Sequence, residues 1–289
     1  MYAAARSIAE QGVASEREVA EVLGIARTAM QRSHSKLVCS RKASDIQVLP
    51  IVIEIFQRHR RRYGKRRIVA DLANRGIHCG HERIAKLMKI ANLLAIQPKS
   101  FKPRTTESRH RLGYNENLLL HHPDPSAIDQ IWVGDITYIP ISVHRFGYLS
   151  TLMDRYSRRI VGWTFGLDMG EHLVVDSLRK AIASRQPSSD LIHHTDRGGQ
   201  YAGRAYREIL KRAAIRQSMS RARDCYDNAF MESCYGTIKT ELQMTEYKTC
   251  EEAIRELSDF INYYNFERLH SSIGYLSPSH FEATVLPPK

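Results

Sequence analysis

The stretch 191–242, LIHHTDRGGQYAGRAYREILKRAAIRQSMSRARDCYDNAFMESCYGTIKTEL, decides how the chain is read. It opens on the apolar pair Leu191 and Ile192 and reaches Asp196 just before Gly198 and Gly199. That pattern puts a carboxylate at the C-terminal lip of a strand, where sites in open sheets commonly lie. It closes on an apolar stripe, Met231, Cys234, Tyr235, Ile238 and Leu242, spaced as in a helix packed on a sheet. Glu232 lies at the border of that stripe, along the face shared with Asn228 and Lys239. Upstream, 131–139 (IWVGDITYI) alternates, so a strand there carries Val133, Asp135, Thr137 and Ile139 on one face and Trp132, Gly134, Ile136 and Tyr138 on the other. Asp is depleted in strands and costly to bury unless a cation or hydrogen-bonding partner meets it. A single Asp or Glu is ordinarily a surface residue. Asp135, Asp196 and Glu232 together, from two strands and a helix, are candidate ligands for hard divalent cations, which take oxygen donors. Two such ions suit phosphodiester chemistry, activating a nucleophilic oxygen and stabilising the leaving one.

The net charge of +12 over 289 residues is unevenly spread. From Met1 to Arg111 there are 23 Lys plus Arg against 9 Asp plus Glu, a net +14; the remainder holds 20 against 22, a net −2. Basicity confined to the N-terminal part is expected of a chain that binds nucleic acid through phosphate contacts. The five cysteines include no C-x-x-C pair, which excludes a zinc ribbon and fits a reducing cytoplasm. His78, Cys79 and His81 lack a fourth ligand and read as turn and helix-start residues. No run approaches the roughly 18 apolar residues of a membrane span, and nothing marks a signal peptide.

Three domains and a linker are expected. Residues 1–44 form a first helix-turn-helix, with Ser15 and Glu18 as a capping box, Gly24 at the turn and a second helix over 26–32. A linker near 38–45 leads to a second helical DNA-binding unit, 45–96. There 51–62 reads as a helix ending in a basic run, and two further helices carry Ile68, Leu72, Ile84, Leu87 and Met88 around Gly76. Its candidate phosphate contacts are Lys65, Arg66, Arg67, Arg83, Lys86 and Lys89. Residues 97–129 read as a basic linker with one short helix over 115–120. The last domain, 130–289, opens with strands over 131–139, 148–154 and 160–167, then a helix over 171–185. A strand over 191–195 delivers Asp196, and a helix over 205–213 and a strand over 217–220 follow. The segment 221–227 reads as a loop beside the site, bearing Arg221 and Arg223 as candidate DNA contacts. A helix over 250–266 presents Ile254, Leu257, Phe260, Ile261 and Tyr264, and Arg268 and His270 beyond it suit packing or contact with DNA or a second protomer.

Thirty-five residues separate Asp196 from Glu232, so the triad resembles the DD(35)E signature of the retroviral-integrase superfamily. WVGDITYI, FGYLSTLMDRYSRRIVGW, HTDRGGQY, YDNAFMESCYGTIKTE and YYNFERLHSSIGYLSP are similar to successive blocks of the second-frame product, OrfB, of the insertion sequence three family of bacterial transposases. The resemblance implies an α/β fold: an RNase H-like catalytic core, a mixed five-stranded sheet flanked by helices, preceded by small all-α helix-turn-helix domains. It implies a DDE transposase that binds the terminal inverted repeats of its element and cleaves and joins DNA strands with Mg2+ or Mn2+, two ions per site. Asp135, Asp196 and Glu232 would hold the metal, and Lys239 and Asn228 would touch DNA. The implied partners are double-stranded DNA, a second copy or a larger synaptic complex, and an upstream-frame OrfA product as fusion partner. Two other readings of the residues stay open: an RNase H-like nuclease without strand transfer, and a non-enzymatic DNA-binding regulator using the N-terminal units alone.

Overall fold

The computed structural model describes residue 9 and residues 15–24, 40–98, 113–142, 145–221, 229–243 and 246–286. Its centre is β1 (Ile131–Ile141), flanked by antiparallel β2 (Arg145–Asp154) and parallel β4 (Ile192–Thr195). With β3 (Ile160–Gly166) beyond β2 and β5 (Arg216–Met219) beyond β4, the sheet runs β3-β2-β1-β4-β5, mixed and five-stranded as expected. Both faces are covered. Helices α5 (Glu171–Arg185) and α6 (Arg204–Arg212) bury Val174, Leu178, Tyr206 and Leu210 against Trp132, Leu152 and Val161. On the other face, α7 (Ala229–Glu241) and α8 (Cys250–Phe266) bury Met231, Ile238, Leu257 and Phe260 against Val133, Ile139 and Leu149. The alternation of β1 thus feeds two separate cores. Gly162 lets α5 approach β3, since a Cβ there would stand 2.4 Å from the Ser177 carbonyl oxygen.

Upstream, the chain forms α1 (Glu16–Val22), α2 (Ser40–Arg58), α3 (Lys65–Asn74) and α4 (His81–Ile90). The Ser15–Glu18 capping box is present, and Gly24 has φ of +61°. The second helix expected over 26–32 lies outside the described residues. The expected linker near 38–45 is a correction: α2 already begins at Ser40, and it ends at Arg58 rather than 62 because Arg60 and Arg61 turn into positive φ. Helices α2, α3 and α4 enclose Val52, Ile55, Ile68, Leu72, Ile84 and Leu87, and Leu269 from the far end of the chain completes that core. Leu269 N–H also donates to the Tyr63 hydroxyl at 2.9 Å, so the helical unit is seated on the segment after α8.

Two further expectations are corrected, and the open reading of Arg268 is decided. Residues 115–120 are not helical: 113–117 run extended beside β5, where Met219 N–H donates to the Glu116 carbonyl and Leu118 N–H to Ser218 Oγ. Pairing with an otherwise open sheet edge overrides local helix preference. Ile254 belongs to the solvent side of α8, 41% exposed. Arg268 is buried, its guanidinium on the Glu241 carboxylate at 2.7–3.0 Å, so it serves packing.

A last helix, α9 (Pro278–Val285), carries the buried Glu282, which accepts from Arg159 at 2.5 Å, Arg185 at 2.8 Å and Ser157 at 2.8 Å. Although burial opposes it, hydrogen bonding by these groups holds the Glu282 carboxyl below its usual range. A carboxylate with a depressed value stabilises the fold above its unfolded pKa and loses that contribution as pH falls through the folded value. Glu282→Ala should therefore cost roughly 3–5 kcal/mol at neutral pH, because two arginines lose a buried partner. The deficit relative to the parent should shrink on acidification below pH ~4.5. Urea unfolding at pH 7 and pH 3.5 checks both points; an equal deficit at the two would contradict this assignment.

Candidate active site

The parallel register of β1 and β4 builds the site. Gly134 pairs with Thr195, so the next residues along the two strands are Asp135 and Asp196, on strands spaced about 4.8 Å apart. Asp135 is half-buried at the centre of the sheet, and its Oδ1 accepts from the Ile136 N–H at 2.8 Å. Its carbonyl accepts from the Tyr235 hydroxyl on α7, tying that helix to the strand at this residue. Burial first, then the Asp196 charge, push the Asp135 carboxyl well above the usual carboxylate range; Glu232 adds to the push and Lys239 opposes it. Asp196 ends its strand as expected, with Oδ1 accepting from Gly198 N–H at 2.9 Å in the turn that follows. A Cβ on Gly198 would stand 3.0 Å from that same oxygen.

Glu232 stands exposed in the first turn of α7. Lys239, two turns on, is half-buried, its ammonium destabilised by burial and favoured by Asp135. Asp135 and Asp196 line one small pocket with Ile136, Tyr138, Met169, Gln200 and Tyr201. Among the described residues, no three His, Cys, Asp or Glu side chains are gathered into one ion-holding group. The two aspartates share one pocket lining, and Glu232, which is not part of that lining, still adds its charge to the push on Asp135. The donor set suits a hard cation: an acid pushed toward neutrality by burial and then by a neighbouring acid would be relieved by a divalent ion bound to both carboxylates.

Of the remaining candidates, Arg221 is exposed, and Arg223 and Asn228 lie outside the described residues. In the helical unit, Arg66, Lys86 and Lys89 are exposed. Lys65 pairs with Glu82 at 2.8 Å across the helix pair. Arg67 turns inward, donating to the Leu269 carbonyl at 3.0 Å and meeting Glu241 at 3.4 Å, and Arg83 joins α4 to α2 through Asp45 at 2.6 Å and Ser44 at 2.9 Å. Tyr235 and Tyr201 are site residues that sequence reading passed over. The first was absorbed into the core stripe of α7, and the second stood in HTDRGGQY without a role.

Integrase core domain models match residues 125–225 and 213–278, and an HTH-like domain model matches 44–101. The chain is 37% identical over 264 residues to the insertion element IS600 uncharacterized 31 kDa protein of Shigella sonnei, covering 90% of this chain and 96% of that one. It is 35% identical over 236 residues to transposase InsF for insertion sequence IS3A of Escherichia coli, covering 80% of this chain and 81% of that one. The chain belongs to the insertion-sequence transposases. It is a DDE transposase, an enzyme of a family that cleaves DNA strands and transfers their ends; such cores depend on divalent metal, and the chain binds DNA. The fold is also that of the integrase in a simian T-cell lymphotropic virus intasome, with a TM-score of 0.50 and 18% identity, over 76% of this transposase and 72% of that chain. Among the described residues no helix is long and apolar enough to cross a membrane.

The close fit around the aspartates gives a stability test. A Cβ on Gly134 would stand 2.8 Å from His193 Cε1, and that imidazole is fully buried with Nε2 on the Tyr206 hydroxyl at 2.5 Å. The ring has nowhere to swing, so Gly134→Ala should destabilise the transposase by about 1–3 kcal/mol. An unchanged midpoint in chemical denaturation would show that the ring yields freely.

Proposed function

We propose that Asp135, Asp196 and Glu232 are the catalytic triad and metal ligands of this transposase, with Lys239 as a phosphate contact beside them. The observation that carries the reading is the pair of aspartates abutting on parallel strands beneath a helix that bears both Glu232 and Lys239. When bound, two Mg2+ or Mn2+ ions would activate an attacking water or DNA 3′-hydroxyl and stabilise the departing oxygen. Asp135 in mid-β1 and Asp196 at the end of β4 have carboxylate oxygens held by the Ile136 and Gly198 amides, and Tyr235 holds the Asp135 backbone carbonyl. Glu232 supplies its carboxylate from α7, and approach of that first turn to the aspartates would complete the ligand set. Lys239 presents a cation on the same helix, where a phosphate of the strand being cut offsets its partial burial.

In this reading the substrate is the terminal inverted repeats of the element and then target DNA. Residues 45–96 form the helical unit that grips DNA, residues 1–44 a further helix-turn-helix, 97–129 a basic linker and 130–289 the catalytic domain. The enzyme works in the cytoplasm as a homodimer or larger synaptic complex, with an upstream-frame OrfA product as fusion partner. Arg66, Lys86 and Lys89 are the phosphate contacts we favour in the helical unit, because they are exposed whereas Arg67 and Arg83 are half-buried in pairs with Glu241 and Asp45; Lys65 is held only by a surface pair with Glu82.

Labelled element-end DNA with Mg2+ or Mn2+ tests the triad. The parent should cut and join ends, whereas Asp135→Asn, Asp196→Asn and Glu232→Gln should bind the DNA and lose both steps. Cleavage that survives any one of the three would remove that residue from the triad. The DNA surface has its own test. Lys86→Ala and Lys89→Ala should each weaken binding and lower the slope of log K against log salt by about 1. Arg67→Ala should instead lower the melting temperature, and a salt slope reduced only by Arg67→Ala would reverse this sorting.

A further inference from the structure

One group in the aspartate pocket has no task in the scheme above. Tyr201 follows Asp196 by five residues, is 1% exposed and sets its ring edge-on to Tyr206 with centroids 5.4 Å apart. Its backbone is fixed from the β5 side, where Gln217 Nε2 donates to its carbonyl at 2.7 Å. The hydroxyl, by contrast, has no hydrogen-bond partner among the described residues. Nearby phenols differ: Tyr206 meets His193, and Tyr235 donates to the Asp135 carbonyl. Phenylalanine would fill the Tyr201 space equally well without burying an idle hydroxyl, which is unfavourable when left unpaired.

The surroundings say what the hydroxyl is for. Tyr201 lines the same pocket as Asp135 and Asp196. A phenol keeps its proton at neutral pH, so this hydroxyl can act as a donor. Ionised carboxylates only accept hydrogen bonds. A carboxylate that ligates a metal is normally hydrogen-bonded in turn by a neighbour that fixes its orientation.

We propose that Tyr201 is a positioning residue of the cleavage site: its hydroxyl, unpartnered among the described residues, would donate to the Asp135 carboxylate once a divalent ion is held there and so fix that ligand's orientation. This rests on Asp135 and Asp196 being metal ligands. The donor acts through the aspartate and touches neither DNA nor the reacting phosphate.

The test compares Mn2+ binding, read from the electron paramagnetic resonance of free Mn2+, with thermal melting for the full chain and three variants. Tyr201→Phe should melt at or above the parent temperature, because an unpaired hydroxyl is gone, yet bind Mn2+ on the order of tenfold more weakly. Tyr206→Phe, whose hydroxyl serves His193, should keep the parent affinity, and Asp196→Asn should lose Mn2+ binding. Parent affinity in Tyr201→Phe while Asp196→Asn loses the ion would overturn the role of the hydroxyl and leave the aspartates standing. An equal loss in Tyr201→Phe and Tyr206→Phe would mark a packing effect and overturn it as well. If Asp196→Asn binds Mn2+ like the parent, the aspartate reading has failed, and the role of Tyr201 fails with it.

Discussion

A mid-strand aspartate with a second carboxylate beside it is the constraint around which the molecule is arranged. Parallel pairing of β1 with β4 leaves Asp135 and Asp196 at adjacent positions, and burial first, then the Asp196 charge, drive the Asp135 carboxyl toward its neutral form. A sheet whose central strand carries such a group must hold its backbone against relaxation. Antiparallel β2 runs the full length of β1 on one side, and the Tyr235 hydroxyl clamps the carbonyl of Asp135 from α7. Trp132 and Val133, next to each other in sequence, anchor opposite cores. Mispositioning a carboxylate here would thus require breaking both layers, which gives the site its rigidity.

Helix α7 joins this centre to the DNA-binding side. Its last residue, Glu241, is buried and receives three arginines: Arg268 through its side chain, Arg67 through the same carboxylate at 3.4 Å, and Arg62 at its carbonyl at 3.3 Å. Arg62 and Arg67 belong to the helical unit, so the element bearing Glu232 and Lys239 is fastened at its C-terminal end to the part of the chain that carries the positive charge. Removing Glu241 would leave buried guanidinium uncompensated, which is far costlier than losing a surface pair. The joint behaves as structure, and its arginines are unavailable for phosphate.

What could be read from sequence follows from where the physical signal is local. Alternation in 131–139, a charge in mid-strand and the stripe from Met231 to Leu242 each lie within a few residues, and β1, β4 and α7 appeared where they were expected. Helix α5 matched at both ends. The start of α2 was missed because Ser40 to Asp45 is polar and gives no apolar period, and Pro50 inside that helix is ordinarily a breaker. The segment 115–120 was misread because its conformation is set by β5, about a hundred residues away. Arg67 looked like a DNA contact for the same reason: the partner that claims it, Glu241, is remote in sequence, and the same carboxylate decides Arg268 for packing. Tyr201 carried no local mark at all, since a tyrosine after a glycine turn reads as packing until the carboxylates beside its hydroxyl are seen.

The division of charge between the two parts answers a difficulty that the chemistry creates. A site made of acidic oxygens repels the polyanion it must cut, and the portion after Arg111, with its net −2, does nothing to offset that. Binding therefore has to be supplied elsewhere, and the net +14 upstream supplies it through counterion release, without regard to sequence. In the proposed site, divalent ions held by Asp135 and Asp196 would offset that negative charge locally, and Lys239 on α7 would add a cation beside them. Phosphate is held broadly by the basic unit and drawn in at one point of the core, so attraction and cleavage are governed by different residues. For that reason the exposed lysines of α4 and the aspartates of the sheet should have separable effects.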